Sequence, residues 1–335
     1  MEHKDSLKEN LKENLIENLN TTKQNIEAAK QNLEAARQEA LAAAKCDNID
    51  DPIDLHVSEV ISMALSKVFI KLHIIPNVVT ILSMITGVTG SLLLLKQTLL
   101  FDIIGACVVL FSYILDCCDG QIARTTRHFS KVGRLLDGLS DATVYFFLFA
   151  VTIIRLGRFN PFSAAWIWPV LMVLLFIVVF LIYIRQNQLP DYFKNLHMFL
   201  IDNSKGSELT RAKHIKAQRE KEPKGSITRF GLSCYYPYTL AQERRAPETQ
   251  KLLDAIELHG KSTELSAAFY ERSRRLIRKT NLLTFHLRTY VMLLCIILRI
   301  EWAGLLFGFL VLEPIRVVLL RKYEKLTRDL LPLVK

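Results

Sequence analysis

Long apolar segments constrain this chain more than any other feature of its sequence. At least five stretches approach the roughly 20 apolar residues that a helix needs to cross a bilayer. Half of all residues are hydrophobic and the mean hydropathy is +0.22, so the apolar residues are concentrated in segments. A wholly soluble enzyme is therefore excluded, and so is disorder in the middle of the chain. The predicted spans are Pro76–Leu95, Thr98–Leu115, Leu139–Leu156, Ala164–Ile184, Leu282–Ile300 and Trp302–Leu320.

The distribution of basic residues predicts how these spans are oriented. Residues 116–137, 185–281 and 321–335 together contain 28 Lys and Arg residues, whereas the opposite loops contain four, including Arg155. Cytosolic loops are enriched in Lys and Arg. We therefore predict an all-α bundle of six transmembrane helices with both termini in the cytosol. It would lie in the plasma (inner) membrane of a bacterium, or otherwise in an endomembrane. The net charge of +10 then reflects topology and anionic lipid, and no nucleic-acid partner is predicted.

The segments outside the spans divide the chain further. Residues 1–50 carry a heptad pattern, which predicts a polar helix that forms a coiled coil or lies against the protein's own cytosolic part. Residues 51–75 predict an amphipathic helix in the membrane interface. Residues 76–184 hold the first four spans, and residues 282–335 hold the last two with a cytosolic tail. Residues 185–281 form a basic cytosolic insert, which is either a solvated cap beside anionic headgroups or a substrate lid or docking surface.

Four aspartates near the connection of spans two and three carry the chemistry that the sequence predicts. Asp116 and Asp119 are three residues apart, and Asp137 and Asp141 are four apart, so each pair shares a helix face. The short connection lets both pairs converge. Carboxylates gathered in this way repel one another unless cations neutralise them, and oxygen ligands suit Mg²⁺ or Mn²⁺. We therefore predict a site for divalent cations, with two cations clamping the oxygens of a phosphoryl displacement.

Small and basic residues around the aspartates fit the same chemistry. Gly120, Ala123 and Gly133 leave room for a bulky ligand and for the backbone to approach the cations. Arg124 supplies a forked cation that suits phosphate oxygens. Any one of these residues alone would be an ordinary residue at a helix end. Their occurrence together with four aspartates at fixed spacing makes incidental helix-end charges the weaker interpretation.

These residues form a pattern that resembles a known protein family. The run Asp-x2-Asp-Gly-x2-Ala-Arg-x8-Gly-x3-Asp-x3-Asp, from Asp116 to Asp141, matches the signature of the CDP-alcohol phosphatidyltransferases at every position. The segment Pro76-Asn77-Val-Val-Thr80 is similar to the opening of that family's first span. The resemblance covers residues from about 57 to 184 well and spans five and six more loosely. It does not extend to residues 1–50 or to the insert.

The resemblance implies a six-helix membrane enzyme of phospholipid biosynthesis, usually a homodimer, that works at the cytosolic face. Such an enzyme transfers a substituted phosphoryl group from a CDP-linked donor to an alcohol acceptor and releases CMP. Its implied partners are the donor, the acceptor, membrane lipids and a second copy of the chain. The implied cofactor is a divalent cation, Mg²⁺ or Mn²⁺.

The family pattern also implies a role for each matching residue. Asp116, Asp119 and Asp137 bind the cations. Asp141 is a further ligand or the catalytic base that faces the acceptor hydroxyl. The residues implied to bind CDP are Gly120, Ala123, Arg124, Gly133, Asn77 and Thr80.

Several charged residues outside this pattern are candidates for binding the acceptor. Lys131 and Arg134 lie where a phosphorylated acceptor would place its extra charge, although the positive-inside bias explains them slightly better. Arg288 lies several residues into span five, and ionisable groups at membrane depth are functional candidates by default. Glu313 and Arg316, three residues apart in span six, either take part in function or form a salt bridge that stabilises packing.

Two other classes of function compete with the transferase. A cation transporter would bind its cargo at the carboxylates, but the spans contain no internal repeat and the aspartates lie at helix ends. A non-catalytic scaffold would present the N-terminal helix to partners, but it would not need an intact residue at every motif position. Within the transferase class the donor stays open. It is either CDP-diacylglycerol or a water-soluble CDP-alcohol, such as a CDP-polyol or a CDP-aminoalcohol.

Overall fold

The part of the chain that the structure describes is nearly all helical. The computed structural model describes residues 58–126, 131–158, 166–201 and 209–334 and contains no β-strand among them, as the predicted all-α class requires. The helices are α1 (Ser58–Lys71), α2 (Pro76–Leu93), α3 (Leu99–Thr126), α4 (Lys131–Leu156), α5 (Ile167–Ile201), α6 (Ala212–Lys221), α7 (Ile227–Arg245), α8 (Pro247–His259), α9 (Thr263–Thr280), α10 (Phe285–Ile297), α11 (Glu301–Phe307) and α12 (Glu313–Leu330).

Six helical segments in the described residues are long and apolar enough to cross a membrane, which confirms the predicted number of spans. They are Pro76–Lys96, Leu99–Thr126, Leu136–Leu156, Ile167–Ile201, Thr263–Ile297 and Glu301–Leu333. The chain is therefore a multi-pass membrane protein. The predicted interfacial segment contains α1, and residues 1–50 with their predicted coiled coil lie outside the described residues.

Several of these helices continue beyond the spans that hydropathy predicts. α3 runs past Leu115 to Thr126, so the first half of the aspartate motif is helical. α5 runs past Ile184 to Ile201 and has 35 residues. At about 1.5 Å per residue, α5 is roughly 50 Å long, which exceeds the roughly 30 Å hydrocarbon core of a bilayer. The predicted insert therefore begins as an extension of a membrane helix.

The extension of α5 and helix α12 pack with the insert to form an apolar cluster. Phe193 of α5 stacks on Tyr323 of α12, with ring centroids 3.8 Å apart. Leu252 of α8 and Phe269 of α9 are fully buried in the same cluster. Helix α7 of the insert also contacts α4, which carries two of the motif aspartates. The insert is thus a packed part of the fold that reaches the motif helices.

Small residues bring α2, α3 and α4 close together. A Cβ atom at Gly87 of α2 would lie 2.6 Å from Val144 of α4 and 2.8 Å from the hydroxyl of Ser112 of α3. A Cβ atom at Gly90 would lie 2.8 Å from the backbone nitrogen of Val109 of α3. Close packing of this kind drives helix association in lipid, where the hydrophobic effect supplies little between helices. Helix α2 therefore fixes the relative positions of the two motif helices.

A buried ion cluster joins one end of these helices. Arg155, in the last turn of α4, donates hydrogen bonds to Asp102 of α3 (2.6 Å) and Glu301 of α11 (2.8 Å). It also donates to the carbonyl of Leu94. The side chains of Arg155, Asp102 and Glu301 are 2%, 0% and 13% exposed, so the prediction of Arg155 in an outer loop is wrong. We call this group the far-end ion cluster, and the opposite end, with Asp116–Asp141, the motif end.

Candidate active site

Three of the four predicted aspartates meet at the motif end. Asp116 and Asp119 of α3 and Asp137 of α4 each offer a carboxylate oxygen, and these oxygens lie within 4.8 Å of one another. Asp119 is buried, Asp116 is half-buried and Asp137 is exposed, so the cluster is open on one side. An oxygen-only ligand set is the kind that Mg²⁺ and Mn²⁺ prefer in proteins. The geometry thus brings together the three residues that were predicted to bind cations.

The surroundings of Asp119 test whether this cluster fits a cation. The Thr80 hydroxyl on α2 and the amide of Gly120 lie close enough to interact electrostatically with its carboxylate, and the Thr80 hydroxyl donates a 3.2 Å hydrogen bond to the carbonyl of Pro76. The Oδ2 atom of Asp119 is buried and has no hydrogen-bond partner among the described residues. An unpaired carboxylate oxygen is costly to bury, and a cation would satisfy it. The residues present therefore fit a divalent cation.

Helix α2 supports both halves of the cluster. Thr80 contacts Asp119 of α3 through its side chain, and its carbonyl accepts a 3.4 Å hydrogen bond from the hydroxyl of Ser140 on α4. The Ser140 hydroxyl also lies 3.3 Å from that of Ser83, one turn along α2 from Thr80. These bonds join buried polar groups of α2 and α4. They fix α4 at the residue that precedes Asp141.

Arg124 lies over Gly120, one turn further along α3. A Cβ atom at Gly120 would lie 3.4 Å from Nη1 of Arg124, an ordinary contact distance, so the guanidinium group lies directly over the glycine. The Nε atom of Arg124 is buried and has no hydrogen-bond partner in the part of the chain that the structure describes. A guanidinium group with a donor to spare suits the oxygens of a phosphate. Carboxylates for cations and a cation for phosphate therefore lie on one face of α3.

Comparison with known proteins identifies this arrangement. Residues 73–200 match the family model of the CDP-alcohol phosphatidyltransferases. The chain contains a CDP-alcohol phosphatidyltransferase domain. It is 35% identical over 81 residues to phosphatidylinositol phosphate synthases of Mycobacterium bovis and Mycobacterium tuberculosis, which is 24% of this chain and 36% of each relative. It is 34% identical over 77 residues to that of Mycobacterium marinum, which is 23% of this chain and 32% of the relative. The chain thus spans about a third of the length of these curated relatives.

The fourth aspartate of the phosphatidyltransferase motif lies beside the cluster. Asp141 is half-buried one turn after Asp137 on α4, and the charges of Asp137 and Asp119 act on it. Among the described residues, the set of carboxylates within 4.8 Å does not include Asp141. The rings of Tyr145 and Tyr183, 4.0 Å apart between centroids, lie close enough to interact electrostatically with Asp141. We call these two rings the tyrosine wall.

Arg288, which was predicted from its depth in span five, lies against the tyrosine wall of the phosphatidyltransferase domain. Its guanidinium carbon is 5.0 Å from the centroid of the Tyr183 ring. It donates a 2.7 Å hydrogen bond to Oε1 of Gln186, and its side chain is 3% exposed. The Nε and Nη1 atoms of Arg288 are buried and have no hydrogen-bond partner within the described ranges. Arg288 therefore keeps donors for an anionic group near the tyrosine wall.

A second group of arginines lies where the insert meets α5 and α12. Arg185, Arg245 and Arg316 line one cavity, and no acidic residue lines it in the described part of the chain. Arg245 donates to Oε1 of Gln188, and Arg316 forms the predicted salt bridge with Glu313 through bonds of 2.6 and 2.9 Å. Burial lowers the pKa of Arg245, and the charges of Arg185 and Arg316 lower it further. We call this group the arginine cavity.

The remaining predicted site residues lie on α2, α3 and α4. Asn77 is half-buried in the first turn of α2, and Ala123 and Gly133 are half-buried on α3 and α4. Helix α4 begins at Lys131, but the side chains of Lys131 and Arg134 lie outside the described residues. Their contact with an acceptor therefore stays a prediction.

The sequence interpretation missed the tyrosine wall and the part of the arginine cavity that the insert supplies. Tyr145 and Tyr183 lie in apolar spans, where tyrosines have no spacing that separates a site from ordinary packing. Arg245 is one of 19 basic residues between 185 and 281, so composition alone does not distinguish it. Charge at membrane depth was the useful signal, because it pointed to Arg288 and Arg316.

Proposed function

We propose that the chain is an integral-membrane CDP-alcohol phosphatidyltransferase, which transfers a substituted phosphoryl group from a CDP-linked donor to an alcohol acceptor and releases CMP. The observation that carries this proposal is the cluster of Asp116, Asp119 and Asp137 inside a domain of this family. The buried and unpaired oxygen of Asp119 supports it further, because a site of this kind gains its stability from a bound cation.

In this proposal the aspartate cluster holds two divalent cations, Mg²⁺ or Mn²⁺. When bound, the cations would neutralise the negative charge of the donor's pyrophosphate and the charge that develops on the leaving group. Arg124 binds phosphate oxygens through its guanidinium group. The other residues of the CDP site are Gly120, Ala123, Gly133, Asn77 and Thr80.

Asp141 is the proposed base. The hydroxyl oxygen of the acceptor forms a bond to the donor phosphorus that carries the transferred group. The bond between that phosphorus and the oxygen that leaves with CMP breaks, and the hydroxyl proton passes to Asp141. The position of Asp141 one turn beyond Asp137, outside the close carboxylate set, supports this division of roles.

We further infer a lipid-linked donor of the CDP-diacylglycerol type and an acceptor that carries its own phosphate. The relatives are named for the synthesis of phosphatidylinositol phosphate, a lipid with a phosphorylated headgroup. The arginine cavity supplies guanidinium groups for such a phosphate, and so does Arg288 beside the tyrosine wall. A soluble CDP-polyol or CDP-aminoalcohol remains the alternative donor, and the two donors can be separated by assay.

The test uses purified protein in lipid nanodiscs with a panel of CDP donors and of phosphorylated and unphosphorylated alcohols. CMP is quantified by chromatography and the lipid product is identified by mass spectrometry. We expect CMP release that requires Mg²⁺ or Mn²⁺, a CDP-diacylglycerol donor and a phosphorylated acceptor. Release that persists in a chelator would contradict the proposed cation site, and transfer from a soluble donor alone would contradict the inferred donor.

Substitutions in the arginine cavity test the inferred acceptor. Arg245→Met removes a charged donor, so we expect the KM for a phosphorylated acceptor to rise roughly tenfold or more, since such a bond contributes about 1.5–3 kcal/mol. The KM for the donor should not change. Arg244→Met is the matched control, because Arg244 is the exposed neighbour and does not line the cavity. An equal rise in both variants would reflect surface charge alone.

The proposed topology places the motif end and both termini in the cytosol, in a homodimer. A reactive label near Asp50 and one at Lys335 should both be accessible from the cytosol, and a label at Phe159 should be accessible from the opposite side. All three positions lie outside the described residues. Termini that label from opposite faces would overturn this layout, and crosslinking in the membrane would test the dimer.

A further inference from the structure

Helix α1 forms a buried polar contact with the motif helix α3. The hydroxyl of Ser66 on α1 lies 3.1 Å from Oε1 of Gln121 on α3 and 2.7 Å from the carbonyl of Ser62. The Nε2 atom of Gln121 donates a 2.8 Å hydrogen bond to the hydroxyl of Ser62. The thiol of Cys118 donates to the carbonyl of Ser62 at 3.2 Å. All four side chains are buried, so these bonds lie away from water.

The residues of α3 that make this contact flank Asp119, the most buried aspartate of the cluster. Cys118 and Gln121 lie on either side of the Asp119-Gly120 pair and, being three residues apart, share a helix face. That face is turned to α1, whereas the carboxylate of Asp119 lies near the hydroxyl of Thr80 on α2. The rotation of α3 at the motif is therefore set from two sides, by α1 and by α2.

Apolar packing between the same helices cannot set this rotation alone. Leu115 and Ile122 of α3 are buried in a small cluster against which Leu65 and Phe69 of α1 pack. Packing of aliphatic side chains tolerates small rotations better than hydrogen bonds between fixed partners do. Ligand side chains, in contrast, need to be held within roughly 0.5 Å and 10–20° of their working positions. The glutamine contact supplies directional bonds at the place where that tolerance matters.

We propose that Gln121 is a positioning residue, held by Ser62 and Ser66 of α1, which fixes the rotation of α3 so that Asp119 faces the cation site. Helix α1 ends at Lys71, before the residues 73–200 that match the family model. A helix outside the matched domain thus completes the support of its cation ligand. The catalytic consequence rests on the proposed function, whereas the effect on cation affinity does not.

The test compares three single variants in purified protein reconstituted in nanodiscs. Ser66→Ala and Gln121→Met remove the contact, and Gln121→Met keeps a side chain of similar length. Ser91→Ala is the matched control, because Ser91 is also buried and its hydroxyl also lies within hydrogen-bond distance of the carbonyl four residues earlier, at 2.8 Å from Gly87. The primary readout is the Mn²⁺ concentration at the midpoint of the cation-induced rise in Tm, without any substrate. The second readout is the Mn²⁺ concentration that gives half-maximal CMP release.

Both midpoints should rise about tenfold in Gln121→Met and less in Ser66→Ala, as expected near the lower end of the effects of outer-sphere substitutions. Ser91→Ala should lower the Tm of the cation-free protein but leave both midpoints unchanged. At saturating Mn²⁺ the kcat of Gln121→Met should recover most of its value. A purely structural contact would lower the Tm of Ser66→Ala and Ser91→Ala alike and leave the cation midpoints where they are, which would overturn the proposal.

A second variant keeps the test decisive if Gln121→Met does not fold. Ser62→Ala removes only the hydroxyl that accepts from Nε2 of Gln121, and it should raise the Tm midpoint in the same direction. Where both variants fold, Ser62→Ala combined with Gln121→Met should raise the midpoint no further than Gln121→Met alone. Wild-type protein that shows the Tm midpoint without releasing CMP would contradict the proposed function only. Unchanged midpoints in a protein that does release CMP would contradict the positioning role only.

Discussion

The two ends of the same helices hold buried charge in opposite ways. At the far end, Arg155 lies between Asp102 and Glu301 and donates hydrogen bonds to both. At the motif end, three carboxylates converge within 4.8 Å, and a buried oxygen of Asp119 has no partner among the described residues. In the first arrangement each buried carboxylate is hydrogen-bonded to a group of opposite charge within the chain, whereas in the second the carboxylates lie against one another.

The charges of the far-end ion cluster therefore stabilise the fold, whereas the like charges of the motif end destabilise it and must be held together by the surrounding packing. Removing one member of a buried ion pair leaves an uncompensated charge and is strongly destabilising. Removing one member of a like-charge cluster relieves repulsion. Natural proteins accept such locally unfavourable arrangements at functional sites and compensate for them elsewhere. The far-end ion cluster, which ties α3, α4 and α11 together, is one place where this chain compensates.

The largest effect is expected from the substitution of an aspartate at the motif end. Asp119→Asn should reduce CMP release by about 10³-fold or more, because a lost cation ligand removes several kcal/mol of charge stabilisation. The same variant should unfold at an equal or higher Tm than the wild type when no cation is present, because it relieves repulsion. Turnover and cation-free thermal unfolding check the two parts. A cation-free Tm well below that of the wild type would mean that the cluster stabilises the fold without a ligand.

The next largest effect is expected from a substitution in the far-end ion cluster. Arg155→Met should destabilise the protein by about 3–5 kcal/mol, because it leaves Asp102 and Glu301 buried without their partner. Thermal or denaturant unfolding in detergent measures this loss. At a temperature where the variant is still folded, its half-saturating Mn²⁺ concentration should equal that of the wild type. A changed cation dependence would mean that the two ends are coupled.

The motif end was largely predictable from the sequence because its information is local. Asp116 and Asp119 are three residues apart on one helix, and Asp137 follows after a short connection, so helical periodicity brings them together. The far-end ion cluster has no such pattern, because Arg155 lies 53 residues from Asp102 and 146 from Glu301. Arg155 therefore looked like a loop residue at the end of a span. Only the folded chain brings the three together.

The number of membrane spans was also predictable from local sequence, whereas the length of some helices depends on distant contacts. Apolar runs predicted six spans, and six suitable helices are present in the described residues. The lengths of α3 and α5 were underestimated, because a helix continues as long as its side chains find partners. Beyond Ile184, α5 continues with Tyr192, Phe193 and Leu196, which are buried against the insert and α12. Hydropathy detects the lipid boundary and does not detect packing beyond it.

A smaller effect distinguishes the proposed base, Asp141, from the proposed cation ligands at the motif end. Asp141→Asn keeps the size of the side chain and an acceptor oxygen but cannot take up a proton. We expect turnover to fall by roughly 10²-fold, which is typical of a lost general base. The cation-induced rise in Tm should keep its midpoint, because Asp141 lies outside the close carboxylate set. Loss of that rise, as expected for Asp116→Asn, would make Asp141 a cation ligand instead of the base.

The smallest effect distinguishes the two carboxylate partners of Arg155 in the far-end ion cluster. Glu301 is 13% exposed whereas Asp102 is fully buried, and Arg155 donates to Asp102 through both Nη1 and Nη2. Glu301→Gln keeps an acceptor oxygen for Arg155 and should cost only about 1.5 kcal/mol, near the lower limit for a hydrogen bond to a charged group. Asp102→Asn should cost more, because it leaves the guanidinium group with its only carboxylate at the more exposed position. Unfolding curves of the two variants measure this order, and equal losses would mean that burial does not decide the strength of these bonds.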